Sequence, residues 1–158
     1  MKKIIVILLA ILKFGSSYSQ VPTIQTNTKW LKELDSLTDK QSKIKFVINK
    51  IKTDSVYKSD VKLSTYISSN GHLHDKIGNE VPCKIIFTLK QKKTMYLLDL
   101  SMFPNYSAIL EYFDSDTISE IQIVDGAAAT AIFGTRGNCG VVILKSNDRK
   151  LRKLLRKI

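Results

Sequence analysis

The sequence predicts an α+β fold, with N-terminal helices followed by a small mixed or antiparallel sheet that ends in a β-α-β-α-β unit. Three observations lead there. Between residues 28 and 54 apolar side chains recur every three or four positions, the period of a helix with one buried side. From residue 61 onward they tend to alternate, the period of a strand. Near the end, an alanine-rich stretch at 127–131 lies between the strand-forming runs 121–124 and 141–144, so a short helix connects two strands.

Taken in order, residues 1–19 read as a signal peptide. Lys2 and Lys3 give a charged start, Ile4 to Leu12 an apolar run, and Ser17-Tyr18-Ser19 the small residues of a cleavage site. A bilayer-spanning helix needs about twenty apolar residues, and this run is broken at Lys13. The expectation is a leader that is removed, leaving the chain in the periplasm or at the outer-membrane periphery. No cysteine stands near the cleavage point to carry a lipid.

Residues 20–27 are polar around Pro22 and read as a disordered lead-in, and residues 28–82 as a helical and hairpin part. Trp30, Leu31, Leu34 and Leu37 form one apolar stripe, and Ile44, Val47, Ile48 and Ile51 a second. Thr38 and Gln41 between them have the spacing of a capping box. Val61, Leu63, Thr65 and Ile67 alternate with polar neighbours, and Asn70-Gly71 is a hairpin signal. Two further strands, 83–89 and 94–100, flank the polar Lys90-Gln91-Lys92-Lys93. A helix over 107–113, a strand centred on 121–124, a helix over 127–133, a glycine-punctuated turn at 134–140 and a strand at 141–144 complete the order.

The formal charge of +11 is concentrated at the ends. Three positive residues sit in the leader and a net five in the last eleven residues, which leaves about +3 between them. A nucleic-acid binder needs a basic face spread over its fold, so that class is set aside. Cys83 and Cys139 are the two cysteines. In an oxidising compartment they have one intramolecular pairing open to them, and the alternative is a pair of small buried hydrophobes. Two lone cysteines lack the paired spacing of zinc ligands.

The segment Ile118 to Lys145 resembles the end of the plug domain of TonB-dependent receptors, in the form found in the large nutrient receptors of Bacteroidota. In that family an isoleucine-rich strand leads into a small-residue helix with an aromatic-Gly pair, then a Gly-x-x-Gly turn and a last strand. The matching residues are Ile121 and Ile123, Ala127 and Ala131, Phe133-Gly134, Gly137 and Gly140, and Val141. The likeness extends over residues 83–147, with Tyr96-Leu97-Leu98-Asp99 as the preceding strand. Two positions depart from the pattern: Asp99 is followed by Leu100 where the family has Gly, and Cys139 stands at an ordinary position of the turn. The resemblance implies a packing unit and no reaction. A complete receptor continues into a barrel, whereas this sequence stops thirteen residues after Lys145, so the expectation is a stand-alone plug-like module that binds another envelope protein.

Candidate chemistry is sparse. His72, His74 and Asp75 beside the Asn-Gly turn hold the minimum set for a metal, against the ordinary polar composition of a turn. Gly134 to Gly140 lacks the Gly-Lys-Ser/Thr ending of a phosphate loop and precedes a strand, so it reads as a turn. Asp114, Asp116 and Glu120 read as solvated or capping acids. Neither a catalytic residue nor a cofactor is expected. In the tail, residues 148–158, Leu151, Leu154, Leu155 and Ile158 form one side of a short helix. Arg149, Lys150, Arg152, Lys153, Arg156 and Lys157 form the other. Such a helix suits an anionic membrane surface or an acidic groove, or else it docks its leucines on its own domain.

Overall fold

The computed structural model describes residues 22–57 and 83–157. The expected signal peptide, the alternating run expected from Val61, the hairpin turn expected at Asn70-Gly71 and the histidines at 72 and 74 lie outside the described residues. Two helices come first, α1 (Ile24–Ser36) and α2 (Lys40–Asp54). The hairpin β1 (Ile86–Gln91) and β2 (Thr94–Leu97) follows. A 3-10 turn at Pro104–Tyr106 leads into α3 (Ser107–Leu110), then β3 (Glu120–Val124) and α4 (Gly126–Phe133). A second 3-10 turn, Gly134–Cys139, precedes β4 (Val141–Ser146) and α5 (Arg149–Leu155). The fold is α+β, and the four strands lie in the order β2-β1-β4-β3.

The sheet is mixed. The outer pairs β1/β2 and β3/β4 are antiparallel, while the central β1 and β4 run parallel with Ile86 opposite Val141 and Gln91 opposite Ser146. Alternation then gives two faces. Phe87, Leu89, Val142 and Leu144 point to the main core, where α1, α2, α3 and α5 contribute Leu34, Ile44, Val47, Ile109 and Leu151. Each fully buried side chain of this size contributes roughly 1.5–3 kcal/mol. Trp30 of α1 stacks on Phe46 of α2 and meets Phe87 edge-on, joining helix, helix and sheet. On the other face a smaller cluster forms from Ala129, Val141 and Ile143, flanked by Ile86, Val124 and Phe133.

Several boundaries differ from expectation, each for a local reason. The lead-in is not disordered up to residue 27, because α1 starts at Ile24. Thr23 and Thr26 cap one another reciprocally, and buried Asn27 donates its side-chain amide to the Cys83 carbonyl at 2.9 Å. The second helix is capped by Asp39 in place of Thr38, since the Asp39 carboxylate accepts from the Ser42 N–H at 2.7 Å. Gln41 is thereby freed to accept from the Ser115 N–H at 2.8 Å. β1 runs on through Lys90 and Gln91 because Gln91 pairs with Ser146, so the hairpin turn shrinks to Lys92-Lys93, with Lys92 at φ +53°. β2 ends at Leu97, where Asp99 turns the chain by accepting from the Ser101 N–H and hydroxyl. α3 stops at Leu110, and a turn follows in which the Asp114 carboxylate accepts from the Asp116 and Thr117 N–H groups.

Candidate functional site

The segment that carries the plug resemblance is the strand-helix-turn-strand from Glu120 to Ser146. Ile121 and Ile123 lean on the main core, and Val141 is buried in the smaller cluster. Phe133 packs on that cluster, and Gly134 follows at φ +64°. Gly137 is buried against α4: a Cβ there would lie 2.6 Å from the carbonyl carbon of Ala129 and 3.0 Å from the Thr130 nitrogen. Gly140, at φ +90°, has the Leu31 side chain of α1 directly over its Cα. The turn is therefore pressed between α4 and α1, which only residues without a Cβ permit.

The alanines do not act as a set. Only Ala129 approaches the sheet, whereas Ala127 and Ala131 of the family pattern, with Ala128, are exposed. Ile132 is 64% exposed. An eight-residue helix reaches the sheet with one turn-to-turn stripe, and the Gly137 contact fixes which side that is. The opposite side, Ala127, Ala128, Ala131 and Ile132, is an apolar strip on the surface.

The parallel pairing brings the cysteines together. Cys83 precedes β1 and Cys139 precedes β4, so both stand at the same end of the central strands. Their Cα atoms are 6.1 Å apart and a disulfide joins them, beside the Ile86 N–H to Gly140 carbonyl bond of 3.0 Å. Asn27 and Pro22 hold the Cys83 backbone from the helical side.

A charged cluster that the sequence did not announce ties α2 to the sheet. The Lys84 ammonium donates to the Tyr57 carbonyl at 2.7 Å and to both Asp99 carboxylate oxygens at 3.2 and 3.4 Å. Lys50 pairs with buried Asp54 at 3.0 Å one helical turn away. Burial pushes the Asp54 carboxyl above its ordinary value, against the opposing pull of Lys50. Burial acts the same way on Asp99, but the Ser101 hydroxyl, the Lys84 ammonium and the Ser101 N–H outweigh it and hold Asp99 below the usual range. Asp54 thus contributes stability that is fully present below 3.8 and is lost as pH rises through its raised folded value. Asp99 contributes stability present above 3.8 and lost as pH falls. The expected result is that Asp54→Asn gains on the wild type in melting temperature as pH is raised from below 3.8 toward neutrality, while Asp99→Asn falls behind over the same window. Melting curves across that range check both signs.

The members of this cluster are engaged chiefly with one another. Asp99 is engaged by the Lys84 ammonium and by the Ser101 N–H and hydroxyl, and Asp54 by Lys50 through one oxygen, while its other, buried oxygen has no hydrogen-bond partner among the described residues. A shallow depression along α1 is lined by Ile24, Gln25, Thr28, Lys29 and Lys32, all from one helix. Among the described residues no three His, Cys, Asp or Glu gather as a metal site, and no helix is long and apolar enough to cross a membrane. Asp114 caps its turn and Glu120 pairs with Lys145 at 2.8 Å.

The tail docks on its own domain. Leu151 is fully buried, Leu155 is 6% exposed, and Leu154 packs at the edge of the same core. Asp148 caps α5 by accepting from the Leu151 N–H at 2.6 Å. Of the two readings of the leucine side, docking on its own domain is the one seen, while Arg149, Lys150, Lys153, Arg156 and Lys157 stay exposed and Arg152 is half-buried. No family model matches the chain, and no curated protein or solved structure matches it either.

Proposed function

We propose that the chain is a non-catalytic, plug-like module of the cell envelope that binds another envelope protein, beside a TonB-dependent uptake system. The observation that supports this reading is the outer side of α4. Ala127, Ala128, Ala131 and Ile132 form a continuous apolar strip of mostly small side chains, held rigidly by the contact of Gly137 beneath it. Exposed apolar strips of this kind mark interaction surfaces, and small residues let a partner's backbone come close.

Ala128→Arg with Ile132→Arg places two charges on that strip without touching the buried Ala129. Cross-linked pull-down from the envelope fraction is expected to recover an outer-membrane receptor or its energising complex with the wild type and to lose it with the double variant. Recovery of the same proteins by both chains would sink the reading. The second reading, attachment to a membrane surface through the tail, keeps its cations but not its leucines.

A further inference from the structure

The parallel pairing that gathers the cysteines at one end of β1 and β4 has a counterpart at the other end. Each strand ends in a basic segment there: Lys90 near the end of β1 with Lys92 and Lys93 in the turn after it, and Arg149 and Lys150 after β4. These segments are more than fifty residues apart in sequence and meet in space. The Gln91 amide donates to the Ser146 hydroxyl at 3.3 Å and to the Asp148 carbonyl at 3.2 Å, one residue before the lysines of the turn and one before Arg149. All five cations are exposed, as are Lys153 in α5 and Arg156 and Lys157 just beyond its end. Across both segments the one acid is Asp148, which is engaged as the cap of α5. The ion pairs of the described residues, Lys50–Asp54, Lys84–Asp99 and Lys145–Glu120, include none of these eight.

We propose that this end of the sheet is an electropositive platform that docks on an anionic phospholipid surface through headgroup charge alone. The buried leucines of α5 exclude insertion of that helix, so attraction rests on the cations. Their geometry favours a fluid array of charges over a shaped partner. They are long, exposed side chains in none of the ion pairs of the described residues, spread over a strand end, a turn and the C-terminal helix and its end, without the carboxylate-held guanidinium fork or enclosed donors that single out one phosphate or one acidic side chain. Met95, directly across the hairpin from Lys90, is 43% exposed and adds an apolar side chain at the rim. The inference stands on the charge layout and not on the α4 reading.

The test uses the chain as purified from cells that express it from its own start codon, with vesicles of phosphatidylcholine alone or with about a third phosphatidylglycerol at ~0.1 M salt. Each Lys or Arg near such a surface adds about fivefold to binding, so K90Q/K92Q/K93Q is expected to bind roughly a hundredfold more weakly to the anionic vesicles. R149Q/K150Q is expected to lose roughly twenty-fivefold, and K29Q/K32Q on α1 to bind as the wild type does. Equal binding by all four chains, or an equal loss in the α1 variant, overturns the platform. So does a turn variant that binds like the wild type while the tail variant does not, because convergence is the proposal. Tighter binding to free polyglutamate than to anionic vesicles of equal charge assigns the surface to an acidic protein and likewise overturns it.

Discussion

Gly137→Ala is expected to cost about 3 kcal/mol or more, at the upper end of what overpacking a well-filled site does. The added methyl would sit 2.6 Å from the Ala129 carbonyl carbon and 3.0 Å from the Thr130 nitrogen. Both atoms belong to the backbone of α4, so no rotamer change relieves the contact. The helix must move off the sheet, and with it Ala129 leaves the cluster it forms with Val141 and Ile143. Urea unfolding of Gly137→Ala against Asn138→Ala, its exposed neighbour, isolates the contact. A large drop in midpoint for the first and a small one for the second is the expected pair. A Gly137→Ala chain as stable as wild type would mean that α4 does not rest on the turn. The α4 strip behind the proposed partner binding would then have no rigid support.

Removing the disulfide is expected to cost about 4 kcal/mol by loop-closure entropy, given that the bonded cysteines are 56 residues apart. The loop encloses β1, β2, α3, β3 and α4, so most of the sheet is inside the constraint. For a domain of this size that corresponds to a fall in melting temperature on the order of 10–20 °C. Cys83→Ala with Cys139→Ala should melt at the same temperature with and without reductant, while the wild type should drop to near the double variant when reduced. A wild type indifferent to reductant, and a double variant of equal stability, would remove the covalent link between the two central strands.

Much of this fold was legible because helix and strand periods are local. The stripes Leu31/Leu34 and Ile44/Val47/Ile51 face the core as their spacing requires. The strand-strand-helix-strand-helix-strand order of the C-terminal part was read from β-branched runs, alanines and glycines within a few residues of one another. Boundaries slipped where one side chain outcompeted another for a backbone N–H, as Asp39 did Thr38. The cluster of Lys84, Asp99 and Asp54 was not legible, because its members come from the segment before β1, a turn after β2 and the end of α2, with no shared spacing.

Over the described residues the sequence by itself determined which segments are helix and strand, the order in which they follow, and which side of the longer helices is apolar. Only the tertiary structure decided that β1 lies beside β4 and runs parallel to it. That one pairing carries most of what sequence left open. It sets Cys83 against Cys139 at one end and the Lys92-Lys93 turn close to the start of α5 at the other. It also leaves α5 placed to bury Leu151 in the core. The physical reason is that period two states where a strand's faces point but not which strand lies alongside it. The partner is chosen by the buried surface of the whole domain, to which residues more than fifty positions apart contribute together.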